Sequence, residues 1–235
     1  MGLHVRTLGG NKMKPVSGVR LLMVMAGIFC CNAASAVSPG MTDTFQNGST
    51  EGWSTGAPSP NPPSNIPSGG PGGGGDRYLL LTSTGGGGPG SRLVAISGVQ
   101  WAGDYLSAGV SAIRMDVKNF GSTDLSLRLY FEGPLDVAYS SDAVLVHAGS
   151  NWAPATFSIL GNALSGGPVL SGVTQFRLFH SVLPGAPSNG AAIVAQLGID
   201  NVTAVPEPAE WLAMLAGMTL VLTASAAARR RTTAA

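Results

Sequence analysis

The chain has 235 residues, of which 44% are hydrophobic, 11% are charged and 34 are glycine, with a formal net charge of +1 at pH 7. That charge sums unlike segments: residues 37–205 carry six basic side chains against ten acidic ones, a net charge of −4. An acidic body excludes nucleic acid as a partner, because that class needs a basic face; its 169 residues suffice for one domain with a sizeable core.

At the N-terminus Arg6, Lys12, Lys14 and Arg20 precede the apolar run Leu21 to Cys31, and Ala34-Ser35-Ala36 supplies the small residues of a cleavage site. This layout predicts a secretory signal peptide over 1–36, so signal peptidase and the general secretion machinery are expected partners. Met13 is an alternative start, since Met13-Lys14-Pro15 leaves a basic segment before the same apolar run. A lipoprotein needs a small residue before the modified cysteine, and Cys30 follows Phe29. With both cysteines in the leader, the body must be stabilised by packing and not by disulfides.

The body, 37–205, opens with a short ordered segment, Thr42 to Trp53. A proline- and glycine-rich stretch follows over 57–75, which can be neither helix nor central strand and is expected to be a surface loop of the same domain. Arg77 to Ser83 and Ser91 to Ser97 read as strands, with the hairpin-like punctuation Gly85 to Gly90 between them. Ile113, Met115 and Val117 alternate with charged residues, and Leu125, Leu127, Leu129 and Phe131 alternate with polar ones, a period of two. Asn119 to Asp124 between these runs predicts an antiparallel hairpin. Ala143 to Ala148, Ala155 to Leu160, Val173 to Ser181 and Ile193 to Ala204 complete about nine strands, with no helical period anywhere in the body. The pattern predicts an all-β sandwich of jelly-roll type.

The body lacks the motifs of common enzymes. There is no H-E-x-x-H, no cysteine-based zinc spacing and no G-x-S-x-G elbow, and neither Gly72 to Gly75 nor Gly85 to Gly88 is followed by the Lys-Ser/Thr of a phosphate loop. Of the two histidines in the body, His180 shares a strand face with Phe176 and Leu178, as a structural histidine would. A non-enzymatic protein is expected, and paired carboxylates of a glycan hydrolase remain an alternative.

A binding face is the stronger expectation. With Leu125, Leu127 and Leu129 turned inward, Arg128 and Tyr130 point outward, as do Arg114 and Asp116 on the preceding strand and Arg177 and Phe179 on a later one. These six could share one sheet face, where aromatic rings stack on sugars while Arg and Asp hydrogen-bond hydroxyls or uronate carboxylates. Trp101, Tyr105 and Trp152 are further aromatic candidates. The alternative is an ordinary solvated face.

A body that opens with Asp43-Thr44-Phe45 and Gly52-Trp53, carries Tyr78-Leu79-Leu80-Leu81 and closes on Leu197-Gly198-Ile199-Asp200-Asn201-Val202 resembles the galactose-binding-like and carbohydrate-binding-module β-sandwiches. The resemblance implies that first and last strands lie side by side and that acids near them hold a structural calcium, here Asp43, Glu51 and Asp200. A hard cation wants several such oxygens.

The chain closes with Pro206-Glu207-Pro208, an uncharged apolar run over 211–228 and the cluster Arg229, Arg230, Arg231. The run is long enough to span a hydrocarbon core of roughly 30 Å as a transmembrane helix, and the arginines should stay cytoplasmic. Tripeptide, helix and arginines, in that order, resemble the PEP-CTERM sorting signal of exported bacterial proteins. That resemblance implies recognition by the membrane protease exosortase and a cell-envelope or extracellular-matrix location associated with exopolysaccharide. An ordinary membrane anchor and a purely structural surface protein are the alternatives.

Overall fold

The structure, a computed structural model, describes residues 36–56, 58–134, 138–159, 164–165 and 169–207, together with Gly2. The expected transmembrane helix, Pro208, the arginine cluster and nearly all of the leader lie outside the described residues, among which no helix is long and apolar enough to cross a membrane.

The described strands are β1 (Thr42–Asp43), β2 (Ser64–Ile66), β3 (Tyr78–Thr84), β4 (Val94–Ile96), β5 (Val110–Asn119), β6 (Leu125–Glu132), β7 (Ala138–Ser141), β8 (Val144–Val146), β9 (Ala153–Ser158), β10 (Leu164–Ser165), β11 (Gln175–His180) and β12 (Val194–Pro206). They form two sheets packed as a β-sandwich. The first runs β2-β3-β12-β5-β9, with β1 also on β12; the second runs β10-β7-β6-β11-β4, with β8 also on β6. First and last strands do pair, Thr42 opposite Thr203 and Asp43 opposite Val202.

The expected segments become strands, but two expected hairpins do not form. β5 pairs with β12 and β9, whereas β6 pairs with β11, β7 and β8, so 120–124 carries the chain from one sheet to the other. β3 and β4 are separated in the same way. Turn residues encode that the chain reverses; which edge it then pairs with depends on inward faces meeting from distant segments. The proline- and glycine-rich stretch also holds β2, which pairs with β3 at the sheet edge, where proline-rich chain is tolerated.

Alternation explains the core. Met115 and Val117 of β5, Leu125 to Phe131 at alternate positions of β6, and Leu79 and Leu81 of β3 are buried between the sheets. At about 1.5–3 kcal/mol for each large apolar side chain, this interior is what replaces disulfides. Phe176 of β11 centres an aromatic cluster, with Trp53 and Trp101 edge-on at 5.5 and 5.3 Å and Phe131 at 5.6 Å. Trp101 and Tyr105, expected as sugar contacts, are fully buried there; their rings are too large and apolar to be left outside when a sandwich interior must be filled.

Candidate functional site

The expected binding face is divided by the topology. Arg114 and Asp116 stand on the outer face of the first sheet, and Arg128, Tyr130, Arg177 and Phe179 belong to the second. Within the second group, exposure also differs from expectation. Arg128 is only 8% exposed, its Nε donating to the Ser181 carbonyl (3.0 Å) and its Nη1 to that of Ser141 (2.6 Å). It clamps the 181–182 connection over β6. Phe179 is fully buried and meets Tyr130 edge-on at 6.2 Å. His180 faces inward as expected, its Nδ1 accepting the Ser126 N–H at 3.0 Å.

On the first sheet, Arg114, Asp116, Asn201 and Thr203 border a shallow groove of about 370 Å³. Asn201 takes up the register shift of β12 at a φ of 50°, and its Nδ2 donates to Asp116 Oδ2 (2.9 Å). Beside it Tyr78, Phe120 and Trp152 pack on one another. Gly198 beneath them must lack a side chain, because a Cβ there would stand 2.7 Å from Trp152 Cη2. Trp152 Nε1 donates to the Gly69 carbonyl (2.8 Å), and Lys118 Nζ sits 4.7 Å from the Phe120 ring centre. The rings are therefore occupied in holding the proline- and glycine-rich loop to the sheet.

The three acids expected to hold calcium have distinct environments. Asp43 Oδ2 accepts the indole N–H of Trp53 (2.8 Å) and of Trp101 (2.7 Å) and the Gln100 amide (3.2 Å). Glu51 Oε1 accepts from Asn47; burial, and then the negative charge of Asp43, holds its pKa above the usual carboxylate value. Asp200 is fully buried. Its Oδ1 accepts the Asn201 N–H, and its Oδ2 has no hydrogen-bond partner. Burial pushes the Asp200 pKa up to about 7, with Asp76, Asp116 and Glu51 adding negative charge and the Asn201 N–H opposing. Among the described residues no three such side chains come close enough to share an ion. Asp43 is committed to its indoles, while Asp200 keeps a buried carboxylate oxygen without a partner.

A cleft of about 340 Å³ opens beside β4. Its walls are Thr55 and Ser59, then Ser91 and Arg92, then Ser188, with Arg177 from β11. Ser54 builds one wall by exchanging backbone hydrogen bonds with Ile96 (3.0 and 2.7 Å). Gly56 follows at a φ of +72°, where a Cβ would strike Ile96 Cδ1. On the far side Arg92 Nε donates to the Gly190 carbonyl (2.6 Å). Arg177 Nη2 meets Glu132 Oε1 at 2.6 Å, while its Nε is buried with no partner. Of the six residues expected on one face, Arg177 alone lines this cleft. Arg92 was not anticipated; the one available signal was a basic residue closing a glycine run in an acidic body.

No protein-family model matches the chain, and no curated protein matches it. Solved structures do. An exo-β-agarase structure aligns over 73% of this chain at 12% identity with a TM-score of 0.55, and this chain spans about a quarter (25%) of that protein. The family 11 carbohydrate-binding module from Clostridium thermocellum, solved with a β-1,3-1,4-mixed-linked tetrasaccharide, aligns over 73% of this chain and 98% of its own, at 13% identity and a TM-score of 0.46. The CBM22-2 xylan-binding domain from Paenibacillus barcinonensis aligns over 71% of this chain and 99% of its own, at 12% identity and 0.44. At these identities the likeness is one of fold: a two-sheet β-sandwich.

Proposed function

We propose that this chain is a non-catalytic, exported protein of the cell envelope or extracellular matrix whose sandwich, read as a jelly roll, binds extracellular polysaccharide in the cleft beside β4. The observation that carries the proposal is the chemistry of that cleft. Hydroxyl-bearing Thr55, Ser59 and Ser188 and two arginines line it together with Pro58, Pro89, Pro187 and Val94. A sugar presents the matching mixture of hydroxyls and C–H faces, and polar groups placed around apolar contact are what orient a ligand.

The export half rests on the leader and on Pro206-Glu207-Pro208 with its apolar run and arginines. In this reading exosortase recognises the motif, the membrane holds the precursor, and the sandwich lies outside. The motif starts without a spacer: β12 reaches Pro206, and the Glu207 N–H donates to the Gly109 carbonyl (2.9 Å). Of the calcium set, we retain Asp200 as the one candidate ligand, for its unpartnered buried oxygen.

The test is retention of the mature protein on immobilised extracellular polysaccharides, alongside its intact mass from cells with and without exosortase. Retention, and a mass ending near the motif only when the protease is present, are expected. Absence of retention on every polymer overturns the binding half, and a mass extending to Ala235 in both strains overturns the sorting half.

A further inference from the structure

The cleft has a bias that the body as a whole does not share. The body carries a net charge of −4, yet among the described residues no acidic side chain lines the cleft, while two arginines do. An acidic body repels a polyanion at long range, so affinity for one has to be generated locally.

The two arginines are prepared differently. Arg92 has its Nε committed to the Gly190 carbonyl at 2.6 Å, which fixes the plane of the guanidinium. Among the described residues its two terminal nitrogens have no partner and no carboxylate pairs with it. The end of a guanidinium offers two parallel N–H bonds matched to the spacing of two oxygens on one carboxylate or sulfate group. Arg177 is neutralised by Glu132 and adds little net charge, but it keeps a buried N–H at Nε without an acceptor.

Resting on the polysaccharide reading above, we infer that the cleft recognises an anionic saccharide, one bearing a carboxylate or a sulfate ester. The terminal nitrogens of Arg92 hold the anion. The Ser188 hydroxyl on the exposed wall is available to the sugar hydroxyls around it, with Ser59 Oγ, which accepts the Asn61 N–H at 3.2 Å, beside it.

The experiment compares polymers that differ only in charge, using the mature protein. Polygalacturonate is set against its fully methyl-esterified form, and dextran sulfate against dextran. The expected result is retention on at least one charged member and a loss of tenfold or more in affinity on its neutral counterpart. Arg92→Ala, which removes the fork, and Ser188→Asp, which places a like charge on the exposed cleft wall, should each weaken that retention tenfold or more with melting temperatures near wild type. Retention on dextran sulfate alone assigns the anion as sulfate; retention on polygalacturonate alone assigns it as carboxylate. Equal binding of charged and neutral members, or binding of dextran alone, overturns the anionic inference and leaves the polysaccharide reading standing. Charged-polymer binding unchanged in both variants overturns the cleft as its site. Retention on none of the four polymers overturns the anionic inference; failure on a wider neutral panel as well removes the polysaccharide reading with it.

Discussion

Replacing Asp43 by alanine tests how the first strand is tied to the core. Its carboxylate is nearly buried and collects the indole N–H groups of Trp53 and Trp101 at 2.8 and 2.7 Å and the Gln100 amide at 3.2 Å. Alanine leaves both indole donors inside the sandwich with no acceptor. At about 2 kcal/mol for each orphaned donor, the loss is about 4 kcal/mol, a large share of the 5–15 kcal/mol typical of a domain. For a domain of this size that corresponds to a fall in Tm of about 12 °C. Asp43→Asn keeps a carbonyl oxygen in place and forfeits only charge assistance, so it should cost about 1–2 kcal/mol. Urea unfolding followed by tryptophan fluorescence reads both variants, since Trp53 and Trp101 are two of the chain's four tryptophans. A loss below about 1 kcal/mol for alanine, or equal losses for the two variants, would refute the hub role.

Two further perturbations follow from the same geometry. Asp200 titrates near 7 in the folded chain against 3.8 ordinarily, so the folded state holds a proton that the unfolded chain has released. Stability from this group is therefore full below about pH 4 and falls as pH rises towards 7, by on the order of 1 kcal/mol per pH unit. In chelator, Asp200→Asn should remove that slope and be more stable than wild type at pH 8. With calcium added at pH 8, wild type should gain stability and the variant should not. An unchanged slope in the variant refutes the assignment of the titration to Asp200, and no calcium response in wild type removes it as a ligand. Gly198→Ala drives a methyl to within 2.7 Å of Trp152, and overpacking of this kind costs about 1–3 kcal/mol. Limited proteolysis should then cut within 67–76, the loop that Trp152 holds; a loop as resistant as wild type would show that the ring simply moves aside.

What the sequence by itself determined is the content that short-range periodicity carries. Alternation along 113–118 and 125–132 marked strands and told inward from outward residues, because successive side chains on a strand point to opposite faces whatever the strand pairs with. His180 was placed on its inward face by the same rule. The long glycine and proline runs were legible as connections, since few backbone donors and restricted φ angles keep them out of sheet interiors.

Only the tertiary structure decided which strands pair and what covers them. Two turns that looked like hairpins are crossings between sheets, so residues expected to share one face stand on two. Arg128 alternates outward as expected, yet the Ser181 carbonyl, 53 positions away, closes over it; Asp43 becomes a hub through Trp101, 58 positions away. The cleft is likewise assembled from chain that meets only after folding, with Ser59, Arg92 and Ser188 contributed by three separate connections. Hydrogen-bond partners and desolvation depend on where distant segments come to rest, and neither leaves a local period for the sequence to display.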